Sequence, residues 1–368
     1  MQIESIFNKA VDLEALTMKE GMYIYENVPT NELMLVANEC RKKQVEGNKV
    51  GWIIDRNVNI TNVCISGCKF CNFHCKTNDN NQYITTIDEY CEKIDELFVA
   101  GGRQVLMQGG MHPRLGLDFY RNLFSELKNR YPALKLHALG PPEIVFLAKK
   151  ERKSYREILE SLVESGMESL PGAGAEILSD RVRKEISPGK CNTKEWLDVM
   201  REAHKMNLVT SATMMFGHIE TKRERLEHLI HLREVQSEKP ERSHGFVTFV
   251  PWPYMDEGTE LQRQGIRNNS TANDYLRLVA ISRIMLNNVR NLQASWLTVG
   301  AATAQLCLHG GANDFGSIMM EENVVSAAGA NYKMDAVGIR QAIKDAGFEP
   351  KYRNQVYEEE PLPLEVKA

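Results

Sequence analysis

Three thiols stand close together in the segment Asn57-Val-Asn-Ile-Thr-Asn-Val-Cys64-Ile-Ser-Gly-Cys68-Lys-Phe70-Cys71-Asn-Phe73. Cys64, Cys68 and Cys71 follow C-x3-C-x2-C spacing directly after a short β-like run. Three cysteines on one loop can hold three corners of a [4Fe–4S] cube, whose irons take thiolate ligands. The triplet leaves the fourth iron without a protein ligand, so that iron can bind a small molecule. The competing reading is a zinc site with Cys75 as the fourth thiolate. Zinc normally takes two separated ligand pairs, whereas these four thiols crowd one loop and no second C-x2-C or H-x3-H pair follows. A cube ligated by all four cysteines, an electron carrier, is the third possibility.

A loop of this kind needs a frame. Residues 1–50 read as helices, with Thr30 and Asn31 able to cap a helix over 32–43. From Gly51 onward, β-like runs at 58–63, 104–108, 134–139, 167–170, 209–216, 246–250, 292–296 and 305–308 alternate with amphipathic stretches. Eight strands with intervening helices predict the α/β class, as a parallel (β/α)8 barrel over 51–330. The N-terminal helices would pack on it. Residues 331–368 would add a helix from Asp335, stopped by Gly347, and a solvated tail around Glu358, Glu359 and Glu360.

In such a barrel the catalytic groups sit at the C-terminal ends of the strands. The second candidate strand ends in Gln108-Gly109-Gly110-Met111-His112-Pro113. Two glycines let backbone approach a ligand, and their carbonyls can accept from an ammonium group; a plain glycine turn is the alternative. After the fourth, Glu176 either accepts from ribose hydroxyls or caps the next helix. Lys190, in Ser187-Pro-Gly-Lys190, and Arg183 upstream can offer a cation to a carboxylate. After the fifth, His218 and Glu220 alternate and can share one side of an extended strand. The sixth contains Thr248 and runs into Pro251-Trp252-Pro253-Tyr254, an aromatic wall suited to a planar ring. After the eighth, glycines frame His309, Asn313 and Asp314.

The composition narrows the function classes. A net charge of −4 gives no basic face for nucleic acid. No apolar run reaches the roughly eighteen residues of a membrane span, and the N-terminus has no signal-peptide pattern, so a cytoplasmic protein is expected. The eight cysteines then read as ligands and buried thiols rather than disulfides.

The cysteine segment, Gln108-Gly-Gly-Met-His-Pro113, Gly217-His-Ile-Glu220 and Gly311-Ala-Asn-Asp314 together resemble the menaquinone and deazaflavin branch of radical S-adenosylmethionine enzymes. The likeness spans nearly the whole chain. Within the branch, residues 311–329 and Phe249-Val-Pro-Trp252 look most like the cyclic dehypoxanthinylfutalosine synthases. Aminofutalosine synthases and FO synthase components are its sister groups. The resemblance implies a [4Fe–4S] cluster on Cys64, Cys68 and Cys71, with S-adenosylmethionine on the open iron, cleaved to a 5′-deoxyadenosyl radical. It implies cofactor contacts from Phe70, Gln108, Gly109, Gly110, Glu176 and Arg183. In radical S-adenosylmethionine enzymes the matching Gly-Gly-Glu motif holds the cofactor's methionine amino group, and Met111 stands here in place of that acid. It further implies that the radical takes the ribose C4′ hydrogen of a nucleoside-derived substrate, dehypoxanthine futalosine, whose carbon radical then adds to its own benzoate ring. Loss of an electron and a proton would finish the spirocycle. Placement at strand ends makes Asp314, Glu220 or His218 the expected base, and Thr248, Trp252, His309 and Asn313 the expected substrate contacts. A flavodoxin- or ferredoxin-type electron donor is the expected partner.

Overall fold

The computed structural model describes residues 2–363. It opens with the helices Ile3–Val11, Met18–Asn27 and Thr30–Gln44, which pack on the helices Lys222–Glu238 and Ala272–Met285 of the outer wall. Arg277 fastens them by donating to the carbonyl oxygens of Tyr25 and Ile24.

The strands are β1 (Lys49–Ile53), β2 (Asp55–Asn59), β3 (Gln104–Gln108), β4 (Lys135–Ala138), β5 (Met167–Leu170), β6 (Val209–Phe216), β7 (Phe246–Pro253), β8 (Asn291–Leu292), β9 (Asp314–Ser317) and β10 (Glu349–Tyr352). β2 through β8 form one sheet in chain order, every neighbour parallel. Two short links close it. β8 reaches β9 through the bridge between Gln293 and Asp314. β9 pairs with β1, Gly51 opposite Asp314 and Ile53 opposite Ser317, and only Ile54 separates β1 from β2. The ring is a (β/α)8 barrel whose eighth strand is β9.

That eighth strand is not where the sequence pattern put it. Residues 305–308 lie inside the helix Trp296–His309. Ala301-Ala-Thr-Ala-Gln-Leu-Cys-Leu308 is rich in helix formers, and a short apolar run reads equally well as a buried strand. The true strand, Asp314-Phe-Gly-Ser317, is short and holds a glycine, so its β signal is weak. The seventh strand is likewise two residues at 291–292 rather than 292–296.

Helices start where side chains satisfy their first N–H groups. Thr86 with Glu89, Ser154 with Glu157, Asn192 with Glu195, Thr221 with Glu224 and Thr271 with Asp274 each form a reciprocal capping box. Among the described residues no helix is long and apolar enough to cross a membrane.

The C-terminal segment is part of the barrel. β10 pairs in parallel with β1, placing Tyr352 opposite Trp52. The chain then turns beneath the strands' N-terminal ends, and Arg353 forms a buried pair with Asp314. A Cβ on Gly51 would fall 2.2 Å from Asp314 Oδ2, so this close approach requires glycine. Glu358, Glu359 and Glu360 are exposed as expected, but their backbone is not loose: Glu360 N–H donates to Tyr352 O.

Candidate active site

Strand residues at every second position turn inward, because side chains alternate across a strand. In the described barrels of this type, branched apolar residues fill that interior. Here the inward positions are largely polar: Asp55, Asn57 and Asn59 on β2, Gln104 and Gln108 on β3, His137 on β4, Ser211 and Thr213 on β6, and Thr248 on β7. Together they line a cavity of about 400 Å³ that runs from the strands' C-terminal ends down the lumen.

Cys64, Cys68 and Cys71 line its upper end. Ser66 Oγ lies between two of the thiols, 2.9 Å from Cys64 Sγ and 3.3 Å from Cys68 Sγ. Gly189 N–H donates to Ser66 O and Lys69 N–H to Ile186 O, so the loop is tied to residues 186–189. Cys75 takes a different place. Its N–H donates to Asn62 O and its carbonyl accepts from Cys64 N–H, and the residue does not line the cavity.

Beside Cys64, Gly109 and Gly110 lie flat against the residues that follow β2. Gly110 N–H donates to Thr61 O, and a Cβ there would fall 2.1 Å from Val63 O. Gln108 lines the cavity beside them. Glu176, after β5, forms a buried pair with Lys190 at 2.5 Å, and Lys190 Nζ lies 5.2 Å from the centre of the Phe70 ring. Burial opposes ionisation of Glu176, but Lys190 outweighs it and holds the carboxyl below the usual range. Glu143, in the first turn of the helix Pro141–Glu151, also faces the cavity. Burial pushes its carboxyl up to about 7, and its Oε2 has no hydrogen-bond partner. Trp252 stands two positions above Val250 and four above Thr248 on the same face of β7.

Residues 58–232 match the radical SAM superfamily, and residues 243–366 match the CofH/MqnC C-terminal region. The cyclic dehypoxanthine futalosine synthase of Streptomyces coelicolor is 37% identical over 359 residues, 97% of this chain and 88% of that one. The chain belongs to the radical SAM superfamily. A 5-amino-6-(D-ribitylamino)uracil–L-tyrosine 4-hydroxyphenyl transferase of Methanosarcina barkeri is 38% identical over 347 residues, 93% of this chain and 90% of that one. Among solved structures, methylornithine synthase shares the fold with a TM-score of 0.70 at 19% identity, covering 95% of this chain and 98% of its own.

As a radical SAM enzyme, the chain binds a [4Fe–4S] cluster and S-adenosylmethionine. The donor set fits. Cys64, Cys68 and Cys71 line one end of the cavity and Cys75 does not, so a cluster held by the three would have one iron without a protein thiolate. Cys64, Cys68 and Cys71 would hold the cluster, while Phe70, Gln108, Gly109, Gly110 and the Glu176–Lys190 pair would surround the cofactor. Bound there, the pair of cofactors supplies a 5′-deoxyadenosyl radical.

Six residues expected at this radical SAM site lie elsewhere. Arg183 is buried, donating to the carbonyls of Cys191, Gly174 and Ala175, so it shapes the loop around Glu176, and Lys190 is the cation that lines the cavity beside Glu176. His218 Nε2 meets Met215 O at 3.0 Å, and Glu220 accepts from the Gly217 and His218 N–H groups and pairs with Arg225. Their turn after β6 consumes both side chains. Asn313 and Asp314 begin β9 instead of following the eighth strand, which puts them at the barrel's foot. Asn313 Oδ1 accepts from Arg283 and from Leu292 N–H, and Asp314 is paired with Arg353. His309 is exposed at a helix end, its ring 5.1 Å from Phe348.

The structure adds Asp55, His137, Glu143, Arg353, Gln355 and Tyr357 to the cavity wall. For the strand residues a signal existed. Asp55-x-Asn57-x-Asn59 and Ser211-x-Thr213 put polar groups at every second position of strands that are buried on both faces, where continuous apolar runs are the rule.

Proposed function

We propose that this enzyme performs the reaction for which the Streptomyces coelicolor relative is named, closing a carbon–carbon ring within dehypoxanthine futalosine on the route to menaquinone. Identity alone does not separate this reading from the transferase, since the two relatives score alike. The observation that carries it is the position of the segment 311–329, whose Phe315-Gly-Ser317 wording favours the cyclase: Ser317, Met319, Glu322, Val324, Val325 and Ala328 form one wall of the cavity. The segment that tells the two groups apart touches the substrate space.

In this reading Cys64, Cys68 and Cys71 carry the cluster, and Phe70, Gln108, Gly109, Gly110 and Glu176 hold the cofactor. Thr248 and Trp252 contact substrate. The base that takes the last proton belongs among cavity carboxyls, Asp55 or Glu143, in place of Asp314, His218 and Glu220. A flavodoxin- or ferredoxin-type protein supplies the electron, and the eight unpaired cysteines suit the reducing cytoplasm.

The test is anaerobic incubation of reconstituted protein with S-adenosylmethionine, dithionite and dehypoxanthine futalosine. The expected products are 5′-deoxyadenosine and a cyclised ribose derivative two hydrogens lighter than the substrate, because one hydrogen atom leaves with the radical and one proton and electron follow. A product formed instead from tyrosine and 5-amino-6-(D-ribitylamino)uracil would assign the transferase reaction.

A further inference from the structure

The lower half of the cavity is built by a segment that none of the motifs includes. Beneath the barrel, Arg353, Gln355 and Tyr357 form its floor. Arg353 donates through Nε and Nη2 to the two oxygens of Asp314, at 2.5 and 2.8 Å, and through Nη1 to Asn354 O. A guanidinium carries five N–H donors, so two remain. The Tyr357 ring stacks against this group, its centre 3.8 Å from Arg353 Cζ. The Tyr357 hydroxyl adjoins Thr248 and Asp314 but meets neither in hydrogen-bond geometry, and Thr248 Oγ1 is likewise unpartnered. Buried hydroxyls are normally paired, so two such orphans on one cavity wall call for a ligand.

The backbone adds an independent sign. Tyr357 sits at φ +67°, a region that bulky residues rarely enter and that collects at ligand sites. Of the acids nearby, one is paired with a cation and the other is pushed toward its neutral form by burial. Asp314 is neutralised by Arg353, and Asp55 accepts from Ser317 Oγ and Gln104 Nε2. His137 holds Ser169 Oγ at 2.7 Å and faces Gln355, and burial keeps its ring neutral.

We infer that this floor is an anion subsite: the Tyr357 and Thr248 hydroxyls and the two spare N–H groups of Arg353 receive an aryl carboxylate. The ring then stands along Val250 and Trp252, the next inward positions of β7, and the rest of the molecule reaches up toward the cysteine loop. That the carboxylate is the benzoate of the proposed substrate rests on the reading above; the donor set does not. Burial pushes the Tyr357 phenol above its ordinary range, so it remains a donor at neutral pH.

Reconstituted protein loaded with S-adenosylmethionine is titrated anaerobically with benzoate and with benzamide, a measurement independent of turnover. The wild type binds benzoate about tenfold more tightly than benzamide, the scale of one charged hydrogen bond. Tyr357→Phe keeps the ring on Arg353 and lowers benzoate affinity about tenfold, with a smaller loss for benzamide, whose neutral carbonyl is the weaker acceptor, and no change in substrate-free cofactor cleavage. Equal binding of the two probes by the wild type overturns the inference, and so does an equal loss of both in Tyr357→Phe. A persistent benzoate preference without turnover of dehypoxanthine futalosine sinks only the substrate assignment.

Discussion

Cys75 differs from the three cysteines before it in how its backbone is spent. Both its N–H and its carbonyl are bonded to the strand extension that carries Cys64, and the residue stands outside the cavity that the other three line. Cys75→Ala therefore keeps the iron content and visible absorption of the reconstituted enzyme, while Cys68→Ala loses both; iron assay of the two variants decides it. Glu143 offers a second test at this scale. Its carboxyl ionises near 7 when folded and near 4.5 when exposed, because burial disfavours the charge. Folding of the cofactor-free chain then loses stability as pH rises from 4.5 through 7, since the folded state must give up a proton it holds more tightly. Glu143→Gln removes that loss. Urea unfolding at pH 8 should find the variant more stable by on the order of 2 kcal/mol, with no gain at pH 4.5. Residues of this sort were hard to read in advance. The cysteine triplet announces itself by spacing, whereas Glu143 looks like any acid in a first helical turn until the cavity beside it is known.

Elements decide what a motif residue can touch. Asp314 has the look of a catalytic acid in the sequence, framed by glycines near a strand. One misplaced element accounts for that. With the eighth strand taken at 305–308, Asp314 falls at the open end; with the strand at Asp314–Ser317, it falls at the foot and is claimed by Arg353. Asp314→Ala should accordingly act on stability. It leaves a buried guanidinium unpaired, a loss of roughly 3–5 kcal/mol that denaturant titration will register. A base would instead leave stability intact and abolish product while cofactor cleavage continued. Helices such as Leu117–Arg130 and Thr193–Lys205, and the strands β3, β5 and β6, were legible because periodic runs carry strong local signals. β8 and β9 were not, because two- and four-residue strands exist through their neighbours' pairing rather than their own propensity.

Across the whole molecule the labour is divided along the chain. Residues 58–232 bear the cysteine loop, the glycine pair and the Glu176–Lys190 pair, all the cofactor-side groups. The groups that close the cavity from below come from residues some three hundred positions after β1, through the pairing of Lys49 with Glu349. The barrel class could be read from the β/α alternation, but this return could not, since nothing local in Glu349–Tyr352 names its distant partner. The order of synthesis gives that return a meaning. A ribosome delivers the radical-forming half first and the base of the vessel last, so the barrel stays unsealed, with Asp314 still lacking its guanidinium, until residues 349–357 emerge.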